Sequence, residues 1–374
     1  MNPTTDLPDD AALPGIVAMR ALGVTRALGL ARALLALGLE DAPVAMHLVG
    51  YSPGERATLE VRVGQRRLAV KAYAADPTPE VVLYRALAAA GLSGDSGVRV
   101  PPLLAWDRDL RVIVIGWLEG PTAHELVKQG RGQRAGELAA QWLRCAASLP
   151  VRLGLPLGAA RMLSRAREWV AWLREADPTL GDAATRLAAT LAQAQPREDR
   201  SQLVHGTFYA RHVLDLGDGA GLIDWERFGQ GPLELDAGMF LATVWRLGLD
   251  HEALAGEATR ALTALVEGTR DVLDERALAW HRAAALLRLA SKVHAVKRRK
   301  PDWLARAHAQ LAEAARLVED ALASEAVVPA KPPAFKPRGA ALELVLQALS
   351  TRPATPEELD QIRKLLDATD DRAS

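Results

Sequence analysis

The pattern of hydrophobic and polar positions changes its period along the chain. From Ala45 onward, the runs AMHLVGY, ATLEVRV and RRLAVKAY alternate in polarity and are separated by the turn sequences SPGER and GQ. Alternation of this kind predicts three antiparallel strands. The next segment, PEVVLYRALAAAGL, has Pro in its first turn and Gly at its end, which predicts a helix. Two further apolar runs, VRVPPLLAWD and LRVIVIGWLEG, predict two more strands.

Beyond residue 121 the pattern becomes mostly helical. Helices are predicted for AHELVKQG, QRAGELAAQWLRCAASL, ARMLSRAREWVAWLREA and AATRLAATLAQA. A strand-like pair, LVHGTFYARHVLDL and AGLIDWE, interrupts them, and helical patterning resumes from residue 235 to about residue 323. The predicted fold class is α+β, with a small antiparallel-sheet lobe, a larger mainly helical lobe, and a cleft between them as the natural ligand site.

The patterning divides the chain into five segments. They are an N-terminal helical extension (1–44), a small lobe (45–120), a helical lobe with the hairpin (121–325), a Pro-rich linker (326–338) and a C-terminal helical tail (339–374). Two short helices in the tail carry apolar stripes that they cannot bury alone. We therefore expect the tail to dock on the body of the protein or on a protein partner.

Composition narrows the function classes. The 374 residues include 46 basic and 46 acidic ones, so the formal net charge is zero, which argues against a dedicated nucleic-acid binder. The single cysteine, Cys145, excludes an internal disulfide and fits a reducing cytoplasm. The apolar region 12–39 is interrupted by arginines and is too charged to span a bilayer. The sequence thus predicts a cytoplasmic protein that binds neither nucleic acid nor membrane.

Three residues suggest phosphate chemistry. Lys71 ends a predicted strand, and Glu80 begins the next helix nine residues later. A strand lysine paired with a helix glutamate holds phosphates in kinases, although an outward-facing strand lysine is the simpler interpretation. Asp224 follows the apolar run GLI, which would place a carboxylate at a strand end. Carboxylate oxygen is the ligand that Mg²⁺ prefers, and the alternative is a buried structural aspartate.

The segment LVHGTFYARHVLDLGDGAGLIDWERFGQG, with the Gly-Pro and Asp-Ala pairs that follow it, resembles a known family. The matching positions are His205-Gly206, Val213-Leu214, Ile223-Asp224-Trp225-Glu226, Gly231-Pro232 and Asp236-Ala237. They are similar to the hairpin motifs of the aminoglycoside phosphotransferase family, a branch of the protein-kinase-like fold with choline, homoserine and maltose kinase relatives. The resemblance covers roughly residues 45–320.

The resemblance implies a kinase-like fold that uses ATP and Mg²⁺ and a small-molecule acceptor of unknown identity. Lys71 would hold phosphates, Glu80 would orient Lys71, and Asp224 would bind Mg²⁺. His205 and Asp236 would support the catalytic loop. The hinge would offer backbone hydrogen bonds to adenine from Ile115, Gly116, Trp117 and Leu118.

Two positions depart from the family pattern. Thr207 occupies the position of the catalytic aspartate, and a threonine hydroxyl is no base near neutral pH. Losing general-base help costs about 10²–10⁴ in rate. His212 occupies the position of an amide at the second metal site, where imidazole suits Zn or Cu better than Mg. Tyr209, His212 and Glu226 are the nearby candidates for a replacement proton acceptor.

Three functions therefore stay open. The chain is a kinase with impaired catalysis, a pseudokinase that binds a nucleotide or metabolite, or an enzyme of another ATP-dependent transfer such as nucleotidyl transfer.

Two further patterns have simpler interpretations. The basic run KVHAVKRRK (292–300) predicts a solvated helix end, with a patch for an anionic partner as the alternative. A core location rather than an aromatic platform is predicted for Trp142, Trp169, Trp172, Trp245, Trp280 and Trp303.

Overall fold

The computed structural model describes residues 7–22, 44–292 and 302–327. The chain divides into two compact units, Met1–Ala323 and Ser324–Ser374, and the second is described only for residues 324–327. The predicted linker beyond residue 327 and the C-terminal tail lie outside the described residues. So do residues 23–43 of the predicted N-terminal extension and the basic run after Lys292.

A five-stranded antiparallel sheet forms the small lobe. Its strands are β1 (Val44–Ser52), β2 (Arg56–Val63), β3 (Arg66–Tyr73), β4 (Leu103–Asp107) and β5 (Val112–Gly116), in the order β1-β2-β3-β5-β4. Because side chains alternate along β5, Val112 and Val114 pack on one face with helix α1 (Pro14–Leu22). Ile113 and Ile115 pack on the other face with helix α2 (Thr78–Ala89).

The large lobe is mainly helical. Its helices are α3 (Ala123–Lys128), α4 (Gly132–Ser148), α5 (Ala159–Ala176), α6 (Pro178–Gln193), α7 (Leu233–Asp250), α8 (Ala255–Gly268), α9 (Glu275–Ala290) and α10 (Trp303–Val327). Leu138 and Trp142 of α4 share a buried core with Phe240 of α7 and Leu265 of α8. None of the helices described has the length and apolarity of a membrane span. The predicted two-lobed α+β fold is confirmed.

The strand-like segment between α6 and α7 differs from its prediction. It forms four short strands, β7 (Gln202–Val204), β8 (Val213–Asp215), β9 (Ala220–Leu222) and β10 (Gly229–Gly231), and β10 also pairs with β6 (Leu155–Pro156), which precedes α5. A continuous strand over LVHGTFYARHVLDL is therefore wrong. The chain leaves β7 at Gly206, where φ is +73°, and makes a 3-10 turn at Ala210–His212 before β8. Between β7 and β8 the amides of His205 and Gly206 donate to the Asp236 side chain, and the His212 amide donates to the Tyr209 carbonyl within the turn.

Close packing of α4 against α8 depends on Gly136. A Cβ atom at this position would lie 2.2 Å from the carbonyl oxygen of Ala261 and 2.8 Å from the Ala264 Cβ. Gly136→Ala is therefore expected to push the helices apart and lower the free energy of unfolding by about 1–3 kcal/mol. Urea denaturation measures this change.

The matched control for this substitution is Gly256→Ala in the first turn of α8. Gly256 is exposed, and the nearest atom to a Cβ there is the flexible Arg260 Nη1 at 4.0 Å. Alanine favours helix over glycine by about 1 kcal/mol or less, so the control keeps or raises stability. Equal losses in both variants would contradict the packing argument.

Candidate functional site

Lys71 is the buried centre of the cleft. It is 5% exposed on β3, and its Nζ lies 3.0 Å from Glu80 Oε1 in the first turn of α2. The Tyr73 hydroxyl donates to the other oxygen of Glu80 at 2.5 Å, which fixes the orientation of this carboxylate. The structure thus forms the pair that the sequence predicts and adds Tyr73, which sequence reasoning missed.

Asp224, which follows the β8–β9 hairpin (residues 213–222), contacts the same lysine. It follows β9 with φ of +69°, a left-handed conformation that is uncommon for residues other than glycine. Its Oδ1 lies 3.4 Å from Lys71 Nζ. Burial alone would raise the pKa of Asp224, but the charge of Lys71 leads the opposing effects and the pKa falls to about 2. The carboxylate is ionised at neutral pH.

Glu226 and Arg56 also meet at this point. Glu226 Oε1 lies 3.2 Å from Lys71 Nζ, and Glu226 forms an ion pair with Arg56 at the start of β2. Arg56 Nη1 is also 3.8 Å from Asp224 Oδ1. Two cations of the small lobe therefore face two carboxylates of the hairpin. Neither Arg56 nor the position of Glu226 could be found from local sequence, because 170 residues separate them.

One aspartate holds residues 205–212, which we call the catalytic loop because the family pattern predicts the catalytic residue there. Asp236 in the first turn of α7 is fully buried, and its two oxygens accept hydrogen bonds from the amides of His205 (2.6 Å) and Gly206 (2.9 Å). Burial raises the pKa of Asp236 to about 7, and the two amides oppose this shift. Gly206 is required here, since a Cβ would lie 2.1 Å from the Arg227 carbonyl oxygen.

Thr207 contacts a histidine. His205 Nε2 lies 2.9 Å from the carbonyl oxygen of Ile223, which only accepts, so this nitrogen carries the proton. His205 Nδ1 is then a lone pair that accepts from the Thr207 hydroxyl at 3.3 Å. Burial lowers the pKa of His205 to about 4, which keeps the ring neutral. Sequence reasoning missed this contact between Thr207 and His205. The Thr207 hydroxyl oxygen can still accept a hydrogen bond from another group.

The donor set at His212 fits a divalent cation. His212 Nδ1 lies 2.9 Å from the Thr207 carbonyl oxygen and so carries the proton, while Nε2 lies 3.2 Å from Asp224 Oδ2. Burial, followed by His205, lowers the pKa of His212 to about 3. A nitrogen lone pair therefore faces an ionised oxygen, and a bound metal ion would relieve their repulsion. In the described ranges no group of three or more His, Cys, Asp or Glu side chains could hold a metal by itself.

The predicted hinge lies at the end of β5. Ile115 pairs with Ala69 and Leu103 in the sheet, and the Gly116 amide donates to the Pro102 carbonyl at 2.9 Å. The Arg67 guanidinium lies 4.4 Å from the centroid of the Trp117 ring. Leu118 follows, and its side chain lies close to Gly221 of β9, 3.1 Å from the place that a Cβ atom at residue 221 would take. The strand thus leads directly into the segment that joins the two lobes.

A cavity of about 440 Å³ opens beside the catalytic loop, and we call it the large-lobe cavity. Thr207, His212 and Asp224 line one part of it. Helix α5 lines another part with side chains spaced along one helical face, namely Arg161, Arg165, Trp169 and Trp172. Arg288 near the end of α9 and Lys292 just beyond it complete this wall.

The tryptophan prediction is only partly right. Trp142, Trp169 and Trp280 are buried as expected. Trp172 is 38% exposed at the large-lobe cavity, so its assignment to the core is wrong. Trp169 and Trp172 follow Arg161 and Arg165 at intervals of three or four residues. This helical spacing could have revealed from the sequence that the four side chains lie on one face of the helix.

Comparison with known sequences identifies the family. A sequence model of the phosphotransferase enzyme family (APH) matches residues 52–276, which is more than half of the chain. No curated protein sequence is significantly similar to the chain.

Solved structures with the same fold include two phosphotransferases. Choline kinase LicA from Streptococcus pneumoniae is 13% identical, with a TM-score of 0.51 over 77% of this chain and 98% of that chain. A thermostable mutant of aminoglycoside phosphotransferase APH(4)-Ia, in a ternary complex with AMP-PNP and hygromycin B, is 13% identical, with a TM-score of 0.52 over 78% and 98% of the two chains. At these identities the similarity establishes the fold.

Removal of the Asp236 carboxylate tests its support of the catalytic loop. Asp236→Ala leaves the buried amides of His205 and Gly206 without acceptors, and each such amide costs about 1–3 kcal/mol. We expect the free energy of unfolding to fall by about 2 kcal/mol or more, together with faster hydrogen exchange of these two amides. The control Asp109→Ala removes an exposed carboxylate and should stay within about 0.5 kcal/mol of the parent. Unchanged exchange in Asp236→Ala would refute this support.

Proposed function

The chain belongs to the phosphotransferase enzyme family, and we propose that it binds ATP with Mg²⁺ in the cleft and transfers phosphate slowly to a small-molecule hydroxyl. The observation that carries this proposal is the meeting of Lys71, Glu80 and Asp224 at 3.0 and 3.4 Å. Strand, helix and hairpin each supply one member of this group, which is the arrangement that kinases use to hold phosphates.

The nucleotide would lie between the hinge and Lys71. Backbone groups at residues 115–118 would bind the adenine, and Lys71 and Arg56 would bind the phosphates. The same fold has been solved with AMP-PNP, an ATP analogue, in the APH(4)-Ia complex, which supports this assignment. Glu226 now neutralises both cations, so phosphate binding requires the ion pairs from Glu226 to be rearranged.

Asp224 and His212 would hold the metal, with its remaining ligands supplied by phosphate oxygens and water. When bound, Mg²⁺ would neutralise negative charge on the phosphates. The imidazole nitrogen of His212 is a softer ligand than the amide oxygen of the family pattern, so His212 favours a borderline metal such as Zn²⁺ relative to an all-oxygen site.

Thr207 sets the expected rate. Its hydroxyl donates to His205 and can accept a hydrogen bond from the acceptor hydroxyl, which positions the nucleophile. It does not remove the proton as a carboxylate does. The missing general base costs about 10²–10⁴ in rate, or roughly 3–5 kcal/mol. Two of the three replacement bases considered from sequence are engaged elsewhere, Tyr209 with Lys292 and Glu226 with Arg56. The third, His212, is a weak base because burial lowers its pKa to about 3.

A pseudokinase is the second candidate function. It is favoured by the environment of the Thr207 hydroxyl. This hydroxyl contacts the His205 side chain, and among the described residues no carboxylate contacts it that could act as a base. In this case the cleft would bind nucleotide without turnover.

Nucleotide binding is the first test. Titration calorimetry is expected to detect ATP binding in the presence of Mg²⁺ and weaker binding with EDTA. Lys71→Met removes the ammonium that would hold phosphates and should weaken binding at least tenfold, or about 1.4 kcal/mol. Lys128→Met, which removes an exposed lysine of α3, should bind as the parent does. Absence of binding at millimolar ATP would exclude the phosphotransfer function and leave only a pseudokinase that binds a metabolite.

Turnover separates the two candidates. ADP release, with water as acceptor, should be slow in the parent and about 10²–10⁴ faster in Thr207→Asp, which restores a general base. Thr207→Ser keeps the hydroxyl and should match the parent. If ATP binds but neither the parent nor Thr207→Asp releases ADP, the pseudokinase assignment is the correct one.

A further inference from the structure

The large-lobe cavity carries a strong excess of positive charge. Its only carboxylates among the described lining residues are Asp224 and Glu226, and both already contact Lys71. Its seven basic lining residues are Arg56, Arg161, Arg165, Arg211, Arg227, Arg288 and Lys292. A net charge of zero for the whole chain therefore hides a local concentration of cations beside the catalytic loop.

Most of these cations have no acidic partner among the residues that the structure describes. Arg56 is paired with Glu226, and Arg165 Nε lies 2.9 Å from Glu168 Oε2. Within the described part of the chain, no carboxylate lies within 4.0 Å of Arg161, Arg211, Arg227, Arg288 or Lys292. Unpaired cations close together repel one another, and the resulting positive potential attracts anions into the cavity.

Tyr209 marks the point where three of the cations meet. Lys292 Nζ lies 3.5 Å from its hydroxyl oxygen, and the Arg211 guanidinium lies 4.4 Å from its ring centroid. Burial raises the pKa of the Tyr209 phenol, but Arg288, Lys292 and Arg211 outweigh burial and hold the pKa below its ordinary value. The three cations around Tyr209 therefore favour negative charge at this place.

The cations share the cavity with the reacting position and with an aromatic surface. Thr207 lies in the same cavity, where the acceptor hydroxyl would be placed. The exposed face of Trp172 offers apolar area for a sugar or other ring. Guanidinium groups bind phosphate and carboxylate through two parallel hydrogen bonds, so an arginine-rich wall selects a planar or tetrahedral anion.

We infer that the large-lobe cavity binds the acceptor through a phosphate or carboxylate group, so that the acceptor is an anionic hydroxyl compound and not a polycation. This inference rests on the proposed function only for the role of the ligand as acceptor. Anion binding to the cavity needs no ATP and can be measured without it.

Calorimetric titration without nucleotide or divalent metal tests the inference with four probes. D-Glucose 6-phosphate carries a phosphate, D-gluconate carries a carboxylate, D-glucose is neutral, and spermine is a polycation. We expect the protein to bind glucose 6-phosphate or gluconate at least tenfold more tightly than glucose and not to bind spermine. The two anions tell phosphate recognition from carboxylate recognition.

Paired variants locate the bound anion. Arg161→Gln/Arg288→Gln removes two unpaired guanidinium groups of the cavity and should weaken binding of the preferred anion at least tenfold. Arg186→Gln removes one exposed guanidinium group of α6 that does not line the cavity, and it should leave binding unchanged. The inference is overturned if neither anion binds, if glucose or spermine binds as tightly, or if the double variant binds like the parent. These outcomes do not depend on whether ATP binds.

Discussion

The buried ammonium group of Lys71 is the interaction on which the arrangement of the cleft depends. Removing an ion from water costs several kcal/mol unless charges of opposite sign surround it. Glu80 supplies one carboxylate from α2, and Asp224 and Glu226 supply two more from the hairpin. Sheet, helix and hairpin must therefore meet within a few ångströms of one atom. This requirement constrains the position of the small lobe relative to the catalytic loop, because a buried ammonium group separated from its carboxylates would keep the full cost of its desolvation.

In the catalytic loop, the residues that hold the backbone differ from the residues that would perform chemistry. Asp236 binds the backbone amides of the loop and Gly206 allows its turn, and both have the residue types of the family pattern. Thr207 and His212 differ from that pattern, yet the structure accommodates them by hydrogen bonds within the loop. A threonine can stand at this position without loss of the fold, because residue 207 supports the loop through its backbone carbonyl oxygen, which accepts hydrogen bonds from the Tyr209 amide and from His212 Nδ1 whatever the side chain is. Chemistry at this loop is therefore free to change while the scaffold stays.

The sequence predicts those parts of the site that depend on short-range pattern. Periodicity locates the strands and most helices, and the spacing of Lys71 and Glu80 anticipates their ion pair. The hairpin motifs place Asp224 at a strand end, although a continuous strand through Gly206 was wrong, because the alternation of polarity cannot reveal a positive φ angle. The basic cavity was not predicted at all. Its walls come from α5, the catalytic loop and the end of α9, and only the tertiary fold brings these segments together.

The distribution of charge offers a physical reason why a site without a general base could still function. Phosphoryl transfer requires positioning and neutralisation of negative charge more than proton removal. If both donor and acceptor are anions, they repel each other, and the protein has to place cations at both ends of the transfer. Lys71 and Arg56 lie at the nucleotide end of the proposed site, and Arg211 and Arg227 lie on the acceptor side. Asp224 lines the same cavity, and a lone pair of His212 is directed at its carboxylate, so a metal ion bound there would add to the positive charge available for neutralising the transferred phosphate.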